Sequence, residues 1–94
     1  MSLYLSPKVR QKLLDRNVTE AHVLQCFANR AGRDLFDKRP QHQTVPPTRW
    51  FIAETDYGIK LKVVYMLYPD TQVVEIKSAF QPNEDELRIY GTHG

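Results

Sequence analysis

Cations and rings are interleaved through the second half of the chain: Lys38, Arg39, His42, Arg49, Trp50, Lys60, Lys62, Tyr65, Lys77, Arg88 and Tyr90. Such mixtures hold phosphates with their cations and stack bases on their aromatic faces. A metal-independent ribonuclease needs a base for the 2′-hydroxyl proton, cations around the crowded phosphate, and an acid for the leaving oxygen. Glu75, Glu54 or His42 could supply the base. Lys60, Lys62, Lys77 or Arg88 could form the clamp, and Tyr90 or a histidine could be the acid. Arg49, Trp50 and His42 would serve binding. The same residues also suit an ordinary sheet surface, on which Glu75 would simply neutralise a lysine across the ladder. Trp50 has two roles open to it, packing against the sheet or standing out as an anchor for a partner.

Whether these groups converge depends on the elements that carry them. Ser6-Pro7 is a helix start, since the serine hydroxyl can accept from a free backbone N–H and proline gives up a donor that would have no partner. A first helix is expected over 7–16, with Val9, Leu13 and Leu14 on one face. Thr19 should cap a second over 20–29, with a stripe of Val23, Leu24, Phe27 and Ala28 and with Gly32 as a left-handed stop. His22, Cys26 and Asn29 fall on the other face of that helix. His22 and Cys26 have ligand spacing at i, i+4, but no further histidine or cysteine accompanies them in this half.

From residue 34 the period changes from 3.6 to 2. Residues 34–38 suit an edge strand and 3–5 a short one. A polar loop at 39–48 closes on Pro46-Pro47, where missing N–H groups discourage a central strand. Strands are expected over 49–55, 59–68 and 72–80, joined by turns at 56–58 and 69–70. In the middle strand Ile59, Leu61, Val63, Tyr65 and Leu67 face one way, and Lys60, Lys62, Val64, Met66 and Tyr68 the other. Asn83 then caps a short final helix with Glu86 three residues on, and His93 lies in a tail expected to fray. The expected fold class is α+β: two N-terminal helices packed on a three- to four-stranded antiparallel meander, with a short C-terminal helix, as one domain over 1–94.

Composition agrees with a globular domain: 94 residues, 41% hydrophobic and 26% charged. Thirteen basic against eleven acidic residues leave +2, too little to argue nucleic-acid binding from total charge. The single cysteine, Cys26, excludes an intramolecular disulfide. No run approaches the ~18 apolar residues of a membrane span, so a cytoplasmic location away from membranes is expected. Walker and dinucleotide loops, a nucleophile elbow and a zinc-protease helix are all missing from the sequence, and no cofactor or metal is expected.

The N-V-T-E-A-H-V-L-Q-C-F run, the strands G-I-K-L-K-V-V-Y and I-K-S-A-F, and the closing E-L-R-I-Y together resemble the BrnT toxins of the RelE-like ribonuclease group. The resemblance covers about residues 16–90. It implies RNA as substrate and a small antitoxin protein as partner. It places the family's meander signature at Gly58, Lys60 and 61–64, its Ser-Ala strand end at Ser78-Ala79, and its last-helix set at Glu86, Arg88 and Tyr90. After Ser-Ala those toxins carry an arginine where this chain has Phe80, a departure that favours a second expectation, a non-catalytic protein-interaction module on the same fold. L-S-P-K-V, C-F-x-N-R, P-P-T-x-W-F-I-A-E-T-D and L-K-V-V are similar to short bacterial proteins labelled ADP-ribosyl-(dinitrogen reductase) hydrolase. The hydrolases of that name use paired magnesium ions in a large helical fold. This chain has neither the length nor a suited carboxylate cluster, so the label supplies no expected site.

Overall fold

The computed structural model describes residues 2–38 and 44–94, so His42, Arg39 and the first half of the expected polar loop lie outside the described residues. The chain runs β1 (Ser2–Tyr4), α1 (Pro7–Asp15), α2 (Glu20–Asn29), β2 (Leu35–Phe36), β3 (Thr48–Glu54), β4 (Lys60–Tyr68), β5 (Val73–Phe80) and α3 (Glu84–His93). The α+β class and the antiparallel β3–β4–β5 meander agree with the sequence reading. The sheet is larger than expected, with five strands in the order β1-β5-β4-β3-β2. It is also mixed, because β1 lies parallel to β5 with Leu3 beside Val74. A three-residue strand is too short for alternation to reveal its partner. Among the described residues no helix is long and apolar enough to cross a membrane.

Local chemistry sets the helix starts. The Ser6 hydroxyl accepts from the Val9 amide at 3.2 Å. Thr19 accepts from the His22 amide while His22 Nδ1 accepts from the Thr19 amide, each at 3.1 Å, a reciprocal cap with histidine in the usual glutamate position. Asn17, in the left-handed region at φ 57°, turns the chain between α1 and α2. The turn after β3 ends on Gly58 at φ +80°, a value that glycine adopts without strain.

α1 and α2 cover one sheet face, where Val23, Cys26, Phe51, Val63, Ile76 and Ala79 are fully buried. The buried stripe of α2 is therefore Val23 with Cys26, and Leu24 is 45% exposed. Leu14 of α1 likewise points outward at 67%. In both helices a leucine beside the true stripe mimics it in sequence. Gly32 is no left-handed stop: α2 ends with Arg30 in extended conformation, and only Gly58 among the glycines has positive φ. What Gly32 permits is close approach, since a Cβ there would stand 2.6 Å from Tyr90 Oη. The last helix runs through His93, farther than expected.

Candidate functional site

Alternation places Lys60 and Lys62 on the sheet face opposite α1 and α2, in rows Glu54/Lys60, Ile52/Lys62/Phe80, Trp50/Val64/Ser78 and Thr48/Met66/Glu75. The two lysines have different surroundings. Lys60 is exposed and makes no ion pair among the described residues. Lys62 is closed in: its Nζ lies 2.6 Å from Glu86 Oε2, 4.4 Å from the Trp50 ring centre and 5.6 Å from that of Phe80. Its side chain keeps 17% of its exposure. Burial works against ionisation of Glu86, but the Lys62 ammonium and the Asn83 amide outweigh it and hold the carboxyl below its ordinary value. Tyr90 packs beside Trp50, ring centres 5.8 Å apart. Its phenol is pushed up by burial and by Asp34, with Arg30 and the Ile52 backbone opposing. The Tyr90 oxygen is buried and, apart from the nearby Ile52 backbone, has no polar partner among the described residues.

Glu75 and Lys77 belong to a separate arrangement. Antiparallel pairing shifts by one between Val64↔Ser78 and Tyr65↔Ile76, which leaves Lys77 as the extra residue of a β-bulge. Lys77 reaches Glu75 on its own strand at 3.5 Å, and Tyr68 Oη donates to the same carboxylate at 2.9 Å. Glu75 is thus held by Tyr68 and Lys77, and it is Glu86 that neutralises Lys62. The row of Glu75 is four residues along β4 from Lys62, about 13 Å. Arg88 pairs with Asp85 in the last helix at 3.1 Å, both well exposed, an arrangement of little energetic weight. Arg49 follows the alternation to the other face from Trp50 and lies over Phe36 at 5.1 Å, its Nε buried without a partner among the described residues. The structure therefore gathers Trp50, Lys62 and Tyr90 and keeps Glu75, Lys77, Arg88 and Arg49 apart from them.

Three polar residues that the sequence reading passed over have structured surroundings. Arg30 and Asp34 pair at 2.7 Å, and Tyr65 donates a short hydrogen bond to the same carboxylate. The Arg30 guanidinium also stands over the rings of Phe27 and Phe51, at 5.8 and 5.1 Å. Their i, i+4 spacing was visible, but it straddles a helix end and so gave no helical signal. Arg16 reaches from the end of α1 to Ser78 Oγ and the Ala79 carbonyl, and its guanidinium lies 5.5 Å from the Phe80 ring centre. Phe80 is thus flanked by two cations from other elements. His22 Nδ1 is taken up by its cap, and the Cys26 thiol faces the Ala53 carbonyl at 3.6 Å. Burial, with Asp56 adding to it, pushes that thiol up to about 11.

Leu35, Phe36, Trp50 and Ile89, together with Asp34, Lys38 and His93, line a groove of about 430 Å³. Phe36 is 46% and Ile89 42% exposed. The fold and this surface define a small α+β domain with an ion pair locked under its C-terminal helix and an open groove next to it. Comparison with protein-family models, with curated proteins and with solved structures returned no match.

Proposed function

We propose that the chain is a BrnT/RelE-like domain of a toxin–antitoxin pair that works by binding a small protein partner and does not cut RNA. The observation that carries this reading is the way its candidate catalytic groups are spent. Lys62 is neutralised by Glu86 beneath Trp50, while Glu75 is held by Tyr68 and Lys77 about 13 Å away along the strand. A base, a phosphate clamp and an acid must converge within hydrogen-bond reach of one phosphate, and among the described residues Lys62, Glu75 and Lys77 do not. The groove at Phe36, Trp50 and Ile89 supplies what a protein interface needs, exposed aromatic and aliphatic side chains beside an edge strand.

The test is to induce the protein in a bacterium with and without the product of the adjoining gene. Binding without cleavage predicts intact bulk RNA in both cultures and a co-purifying complex that survives 1 M salt, because apolar contacts release few ions. Fragmented transcripts on induction of the folded protein alone would restore the ribonuclease reading. A complex lost steeply as salt rises would point to phosphate contacts instead.

A further inference from the structure

The end of α1, the start of α2 and the adjoining ends of β4 and β5 enclose a second groove of about 490 Å³. Its polar wall includes Arg16, Asn17, His22 and Gln81, and its apolar floor includes Leu61 and Phe80. No carboxylate lines it among the described residues. Arg10, Arg30 and Arg88 each face an acidic side chain, whereas Arg16 has no ion pair among the described residues. Both of its hydrogen bonds leave from Nη1 and end on neutral oxygens, Ser78 Oγ at 3.2 Å and the Ala79 carbonyl at 3.3 Å. Those bonds and the Phe80 ring fix the guanidinium plane without cancelling its charge. Nη2 and Nε keep their donors for a ligand, in the planar fork that suits a carboxylate or phosphate. His22 adds to this. Because its Nδ1 accepts the Thr19 amide, the proton of the neutral ring is on Nε2, a further donor held in place by the cap of α2.

We infer that this groove binds a small organic anion, a carboxylate or a phosphomonoester carried on a compact apolar body. Arg16 receives the charge, His22 Nε2 adds a hydrogen bond, and the body rests on the Leu61 and Phe80 floor. The volume is within the range of small-molecule sites. The groove shares no lining residue with the one at Trp50, so it does not depend on the partner proposed above.

Titration of the full chain with benzoate and with phenyl phosphate at low salt, followed by calorimetry and by NMR of the His22 ring and the Arg16 Nε–H, tests the site. The expected result is saturable binding of at least one anion with shifts at both residues. Arg16→Met should weaken that binding at least tenfold, and Arg10→Met should leave it unchanged. His22→Gln preserves a side-chain acceptor for the Thr19 amide, so the cap is kept, and should weaken binding at least threefold. Tighter binding of benzoate assigns a carboxylate ligand, and tighter binding of phenyl phosphate a phosphomonoester. Equal binding of neutral benzamide, equal binding by the folded Arg16→Met protein, or inorganic phosphate as tight as phenyl phosphate would each overturn the proposal.

Discussion

Glu86 does two jobs with two oxygens. Oε1 accepts the Asn83 amide at 2.9 Å and closes the cap of α3, while Oε2 meets Lys62 at 2.6 Å and ties that helix to the sheet. Replacement by glutamine preserves an acceptor for the cap but removes the charge opposite a largely buried ammonium. Glu86→Gln should therefore cost about 2 kcal/mol at pH 7, read by urea unfolding. The folded carboxyl titrates below its ordinary value of 4.5, so its stabilisation is present above that value and lost as pH falls through the depressed one. The gap between wild type and Glu86→Gln should accordingly narrow at pH 3, and an unchanged gap would mean that the charge on Glu86 contributes nothing. Cys26 gives a simpler expectation. A thiol with no exposure and a pKa pushed to about 11 should react with a disulfide reagent at pH 8 at least 100-fold more slowly in the folded protein than in urea.

Helices and strands differ in how openly the sequence announced them. Alternation in β4 sorted its side chains correctly, because nine residues of period 2 with one apolar side leave little choice of face. Caps were equally legible at Ser6, Thr19 and Asn83. Three features were not. The buried face of α2 includes Cys26, which reads as a polar-side residue only when Leu24 is assigned to the core. The bulge at Lys77 has no local marker such as glycine, and its register shift sets Glu75 opposite Met66. The third is Gly32, whose purpose is to admit Tyr90 from an element more than fifty residues away, a contact that no local pattern encodes. Gly32→Ala should destabilise the fold by about 1–3 kcal/mol through the clash with Tyr90 Oη. Tyr90→Phe removes that oxygen, which has at most a weak contact with the Ile52 backbone, and should be nearly neutral by itself. Combined, the alanine should cost markedly less than in wild type. Additive effects in this double-mutant cycle would show that Gly32 serves some other purpose.

On the scale of the whole molecule, the two faces of the sheet are finished differently. One is sealed by α1 and α2 over a continuous core. The other is covered by α3, which has no buried residue and leaves Ile89 near Trp50 42% exposed, while Phe36, paired with Arg49 on edge strand β2, stands 46% exposed at the margin of the first face. A pair of large side chains at that exposure contributes little to folding but much to an interface, because burying each of them on association removes apolar surface that folding left in water. Folding and binding should therefore separate cleanly. Phe36→Lys and Ile89→Asp should each shift Tm by no more than a few degrees yet weaken the complex with the neighbouring gene product at least tenfold, measured by calorimetry at 0.1 and 1 M salt. Lys60→Ala, a change at an unpaired cation on the α3 face of the sheet, should leave that affinity unchanged at both salt concentrations. If Lys60→Ala instead cut binding while Phe36→Lys did not, charge and not apolar contact would govern the surface, and the partner would have to be sought among polyanions.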